Sequence, residues 1–250
     1  MNQPLNVRVN MSKKSLSALL MFVLSLPALA AQHTLVADNF DLIYEDSMTG
    51  LFGAPTLVGN NILFTPNDFK AQSFNAGLNV ESSTANGMYL VAKNGFKFGS
   101  ISLSEFGDYF IDGSGQVSVL GQLRAFDASA DANPVLTQTS SNLMLSPTTP
   151  LNINDGLNHD WFATASINNT SNTVISGNAG WLSNATKVGF TVENILKAYS
   201  SGSGLQSAFI EKKFAGVGLV ITSAVPEPGI WSSFSAGTLM LVTMITRRKV

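Results

Sequence analysis

The chain of 250 residues contains no cysteine, which excludes disulfides, thiolate metal sites and a cysteine nucleophile. Its formal net charge of −2 hides a segregation: residues 31–224 hold ten Asp, five Glu, seven Lys and one Arg, a balance of −7, and the other cations lie at the two ends. So acidic a body repels phosphate backbones, and nucleic acid is excluded as a partner.

At the amino end, Met11-Ser12-Lys13-Lys14 forms a basic segment, and residues 16–26 (LSALLMFVLSL) follow as an uncharged apolar run. Pro27 breaks that run, and Ala28 and Ala30 present small side chains at the two positions a signal peptidase pocket accepts. The run is shorter than the roughly 20 residues a transmembrane helix needs. Residues 1–30 are therefore expected to be a signal-peptide helix, read by the Sec translocon and cut by signal peptidase after Ala30.

Residues 31–224 are expected to form a single all-β domain, an antiparallel β-sandwich of jelly-roll-like type, with no linker or internal repeat. Period-2 alternation predicts strands over 98–103, 116–120, 161–167, 187–192, 207–212 and 217–222. Residues 87–91 and 96–98 flank Lys93-Asn94-Gly95, whose Asn-Gly pair predicts a tight hairpin, and Asp112-Gly113-Ser114-Gly115 predicts another. Residues 193–199 (ENILKAY) carry helical propensity but are read as extended, because strands flank them. Residues 133–158, with Pro147-Thr148-Thr149-Pro150, predict a long surface loop or an edge excursion.

Catalytic signals are sparse in this body. His33 follows the expected cleavage site, where a new terminus should be mobile, and His159 stands beside Asp160, whose side chain would face the other way on a strand. No G-x-S-x-G, H-E-x-x-H or P-loop occurs. Asp38, Asp41, Glu45 and Asp46 form the densest acidic cluster, and Asn152, Asn154, Asp155, Asn158 and Asp160 form another, in which Gly156 comes one place too early for an EF-hand loop. Calcium would suit such oxygens, but both clusters read more readily as solubilising acids. No cofactor, metal site or catalytic residue is assigned.

At the carboxy end, Val225-Pro226-Glu227-Pro228 precedes residues 229–246, an uncharged stretch, and Arg247-Arg248-Lys249 follows. Eighteen helical residues span ~27 Å, close to the ~30 Å of bilayer hydrocarbon. The basic cluster favours the cytoplasmic side, which leaves the body outside. The order V-P-E-P, apolar helix, R-R-K resembles the PEP-CTERM sorting signal of Gram-negative bacteria, read by membrane proteases called exosortases. The resemblance covers about 25 residues and implies that Pro226, Glu227 and Pro228 are the defining tripeptide and Arg247, Arg248 and Lys249 the terminal cluster. The helix is poorer in leucine than is usual for that family.

These features predict a non-catalytic protein that crosses the inner membrane and is held there briefly. An exosortase-like protease would then deliver it to the cell surface or an exopolysaccharide matrix. The alternative is a secreted carbohydrate-binding module, or a carbohydrate-active enzyme that needs only two suitably spaced carboxylates.

Overall fold

The computed structural model describes residues 31–202 and 205–223. The expected signal peptide with Ala28 and Ala30, the Val225–Pro228 motif, the apolar stretch and Arg247, Arg248 and Lys249 lie outside the described residues. Among the described residues no helix is long and apolar enough to cross a membrane.

Two antiparallel sheets face each other. In the six-stranded sheet the order is β1 (Gln32–Val36), β2 (Phe40–Glu45), β6 (Gly77–Ala92), β12 (Lys187–Ser200), β8 (Gly115–Asp127) and β9 (Thr139–Asn142). The seven-stranded sheet runs β10 (Met144–Leu145), β11 (Asn158–Asn168), β7 (Phe96–Asp112), β13 (Ser207–Ser223), β4 (Asn61–Phe64) and β3 (Thr56–Val58). The seventh strand, β5 (Lys70–Phe74), pairs with the first part of β13 on the side where β4 takes the second. The all-β expectation holds.

Alternation explains how the sheets bury one face each. On β12 the side chains of Val188, Phe190, Val192, Asn194, Leu196, Ala198 and Ser200 all point inward, without interruption. The segment 193–199 is thus extended, as its flanks predict, and it continues the strand 187–192. On β7 the inward set is Ile101, Leu103, Glu105, Tyr109 and Ile111. Fully buried Trp161, Phe40, Phe52, Phe64, Phe69, Phe98 and Phe190 fill the space between. Phe52 meets Phe64 and Phe69 edge to face, with centroids 6.0 and 5.7 Å apart.

The two predicted strands at 207–212 and 217–222 are one strand, β13, broken in register between Lys212 and Phe214. Ala208, Ile210 and Lys212 face the core before this bulge, and Ala215, Val217 and Leu219 face it afterwards. The extra residue shifts the parity by one, which keeps an apolar face inward along the whole strand.

The two predicted turns form, but neither closes a hairpin. Residues 93–96 turn through a bond from the Phe96 amide to the Lys93 carbonyl, yet only Gly95 has positive φ. That is the pattern of a type II turn; the type I′ turn of a two-residue hairpin needs positive φ at both central positions. The turn therefore carries the chain from β6 in one sheet to β7 in the other, and residues 112–115 carry it back to β8. Residues 133–158 prove to be an edge excursion: a one-turn helix, Pro134–Thr137, then β9 and β10 on the edges of opposite sheets.

Trp161 lies on β11 opposite Gly107 of β7, which in turn pairs with Lys212 of β13. A Cβ at Gly107 would strike both the Glu211 carbonyl oxygen and the indole nitrogen. Its absence lets the indole cross β7 and donate to the Glu211 carbonyl at 3.1 Å. Trp161→Ala should therefore lower stability by about 3–5 kcal/mol in urea denaturation of the full chain; a loss below ~1 kcal/mol would contradict this packing.

Candidate functional site

The feature that departs furthest from an ordinary sandwich core is a charged pair sealed inside it. Glu105 and Lys212 have fully buried side chains, with Lys212 Nζ 2.7 Å from Glu105 Oε1. The distance is that of an ion pair, although the alignment falls short of a hydrogen bond. Asn194, also fully buried, donates from Nδ2 to the other carboxylate oxygen, Oε2, at 2.8 Å. Its Oδ1 has no partner. One carboxylate thus holds an amine on one oxygen and a carboxamide on the other.

Each member arrives there by strand parity. Glu105 follows Ile101 and Leu103 on the inward face of β7, and Lys212 follows Ala208 and Ile210 on β13 just before the bulge. Asn194 faces them from β12, the central strand of the opposite sheet. Beside Asn194 on β8 stands Gly121, where a Cβ would come within 2.6 Å of Nδ2. The rings of Phe52 and Phe69 lie 4.8 and 5.3 Å from Lys212 Nζ and exclude water around it.

Burial drives both groups toward their neutral forms. It lowers the Lys212 pKa to about 8, against the opposing attraction of Glu105. It also raises the Glu105 carboxyl above its ordinary value, against the pull of Lys212 and Asn194. None of these three residues was singled out from the sequence. The missed signal was parity: inward positions 105, 194 and 212 carry polar residues within mostly apolar alternations.

A second feature lies on the outer face of the seven-stranded sheet. Phe162 on β11 pairs with Phe106 on β7, and Phe106 pairs with Phe214 on β13, making a row of three rings across three strands. Phe106 and Phe162 are 45% and 39% exposed, so both rings are reachable from solvent. Phe106 and Phe214 stack with centroids 5.2 Å apart. Two residues along the strands, Asp160 pairs with Asp108, and Lys213 Nζ lies 2.6 Å from the Asp108 carboxylate. That hydrogen bond raises the Lys213 pKa.

The acidic clusters are dispersed. Asp38 sits in the turn between β1 and β2, while Asp41 and Glu45 stand on β2 and Asp46 begins a 3-10 turn. Asp41 pairs with Lys93 at 3.4 Å and Asp46 with His33 at 2.8 Å. His33 belongs to β1 and stacks on Tyr44 at 5.2 Å, so the expectation of a mobile position is corrected: strand pairing with β2 orders it. His159 takes its partner from Asp155 at 2.8 Å rather than from Asp160. Asp155 also accepts from the Leu157 amide, and Asn154 donates to the Gly113 carbonyl, which occupies this second cluster with closing a turn. Among the described residues no group of three or more His, Asp or Glu side chains could hold a metal ion. A shallow depression lined by Phe74, Asn75, Asp112, Leu205, Gln206 and Ser207 holds a single carboxylate, Asp112.

Lys212→Met leaves the Glu105 carboxyl buried without its counter-charge. We expect a loss of about 3–5 kcal/mol in chemical denaturation of the full chain, where an exposed pair would lose under about 1 kcal/mol.

Neither a protein-family model nor a curated protein matches the chain. Among solved structures, the Eiger TNF of S. frugiperda is similar at 11% identity and a TM-score of 0.22, covering 64% of this chain and 96% of that one. The VP2 subviral particle of infectious bursal disease virus is similar at 10% identity and a TM-score of 0.16, covering 87% and 57%. Likenesses at these scores leave the function to be argued from the chain's own residues.

Proposed function

We propose that this chain is a non-catalytic exported protein of the cell surface or exopolysaccharide matrix, sorted by an exosortase-like protease through Val225-Pro226-Glu227-Pro228. The observation that carries the reading is the order of address signals around one acidic body: basic and apolar with Ala28 and Ala30 in front, VPEP, apolar stretch and Arg247-Arg248-Lys249 behind. Domain division follows the same order, with a signal peptide at 1–30, the β domain at 31–224 and the sorting segment at 225–250. The Sec translocon, signal peptidase and the sorting protease are its processing partners. Repeated crossing of the chain between sheets supports the jelly-roll-like form of the sandwich.

The Phe162–Phe106–Phe214 row supplies the contact with polysaccharide. Sugar rings present C–H faces that pack on flat aromatic surfaces, and the neighbouring Asp160 and Lys213 offer acceptors and donors for hydroxyl groups. The second reading, a carbohydrate-active enzyme, draws on the facing of Asp108 and Asp160 across β7 and β11. Against it, Asp108 is engaged by Lys213. Hydrolysis of a polysaccharide by the purified protein at enzymatic rates would establish that second reading instead.

Two experiments test the proposal. Intact mass spectrometry of protein released from cells should show an amino end at Ala31 and a carboxy end near residue 225. A variant with Pro226→Ala and Pro228→Ala should stay membrane-associated with its tail; normal release of that variant would sink the sorting reading. The double substitution Phe106→Ser and Phe214→Ser should weaken retention on the cell's own polysaccharide about tenfold in a co-sedimentation assay, with the fold intact by circular dichroism.

A further inference from the structure

We propose that Lys212 and Asn194 become joined by an amide bond between Nζ and Cγ, formed with the help of Glu105, so that the core carries a covalent staple between its two sheets. This inference is independent of how the chain is sorted.

The arrangement holds what that reaction needs. Amide formation from an amine and a carboxamide requires an uncharged nucleophile, a base that takes its proton, and an acid that protonates the departing nitrogen. Glu105 stands between the two nitrogens, 2.7 Å from Lys212 Nζ through Oε1 and 2.8 Å from Asn194 Nδ2 through Oε2. A single carboxyl can therefore collect a proton on one side and deliver one on the other. Fixing the reactants in a sealed site replaces the large entropic cost of a bimolecular encounter. The Phe52 and Phe69 rings keep out the water that would compete as a nucleophile and solvate the ammonium. Burial brings the Lys212 pKa down to about 8, so the free amine is a minor but accessible form near neutral pH, far commoner than on an exposed lysine.

The step balances without any other reactant. The Lys212 ammonium passes one proton to Glu105, and the freed lone pair attacks Asn194 Cγ. The Nζ–Cγ bond forms as the carbonyl π electrons move onto Oδ1. A second Nζ proton moves, through the carboxyl group, to Nδ2; the Cγ–Nδ2 bond then breaks and ammonia leaves. Ammonium and primary amide become secondary amide and ammonium: the proton that Glu105 took first departs with the ammonia, which returns the carboxylate, and nothing is oxidised or reduced. Escape of ammonia from the core makes the reverse reaction negligible.

Three surrounding features suit a built site rather than a stray polar cluster. Gly121 leaves the space that Asn194 Nδ2 occupies. Gly107 lets the Trp161 indole reach the Glu211 carbonyl, which pins the backbone next to Lys212. The bulge after Lys212 fixes which side of β13 that lysine takes. The bond would connect the central strands β12 and β13 of opposite sheets, in a chain whose lack of cysteine rules out a disulfide there.

The test is the mass of the protein purified from cells as the full chain or its processed form. The wild type should be lighter than its sequence by one ammonia, while terminal trimming changes the mass only by whole residues. After trypsin, peptides 188–197 and 198–213 should appear as one branched species, with fragmentation placing the link at Lys212 and Asn194. Asn194→Asp should lose water instead of ammonia. Glu105→Gln and Lys212→Arg should show their full calculated masses, and folding of Glu105→Gln is checked by circular dichroism. Wild type at full mass with the two peptides separate overturns the proposal, as does an ammonia loss that maps to another asparagine or to a terminal glutamine.

Discussion

Everything in this sandwich is arranged around the contact between β12 and β13, the central strands of the two sheets. Their inward faces meet across the core, and both are apolar apart from Ser200 at the end of β12 and the point where Asn194 on one confronts Lys212 on the other, with Glu105 of β7 between them. As the chain folds, before any bond joins Lys212 to Asn194, burying an ammonium and a carboxylate is costly in a medium that solvates neither, and mutual attraction offsets the cost only while both partners are in place. The pair therefore constrains how the sheets can meet. Sliding β13 by one residue would turn Lys212 to solvent and leave Glu105 alone in the core.

The surrounding residues follow from that constraint. Gly107 and Gly121 are the positions where an added Cβ would collide with the groups that hold the cluster, one on each sheet. The bulge at Lys212 lets the strand present Lys212 inward and then continue with Ala215, Val217 and Leu219 on the same side. It also leaves Lys213 outside, paired with Asp108, and sets Phe214 beside Phe106. A single extra residue in β13 thus organises both the buried cluster and the aromatic row on the opposite surface of the same sheet. Coupling of this kind means that changes to the row are best kept clear of 212 and 213.

The outer row and the inner cluster have different chemical natures. Phe162, Phe106 and Phe214 form an apolar strip on an acidic body, exposed at Phe162 and Phe106 and half-buried at Phe214, suited to reversible contact with a flat, uncharged partner. Glu105, Asn194 and Lys212 are sealed from any partner and can act only on one another. Under the proposed function the first would be the surface that touches a partner, and the second would hold the two sheets together.

The amino-acid sequence alone decided the class of fold, because period-2 alternation reports a half-buried strand through local geometry that needs no knowledge of the partner strand. It was sufficient even for 193–199, where flanking strands outweighed helical propensity, and it located the turns at Gly95 and Gly113. It also carried the linear patterns at both ends on which the proposed sorting rests. Only the tertiary structure decided which strand lies beside which: the Asn94-Gly95 and Gly113 turns look like hairpins locally, yet each crosses between sheets, since pairing is chosen by long-range partners such as β12 for β6 and β13 for β7. For the same reason Glu105, Asn194 and Lys212, separated by up to about a hundred residues along the chain, read as three unrelated polar positions until the sheets stack and bring them onto one carboxylate.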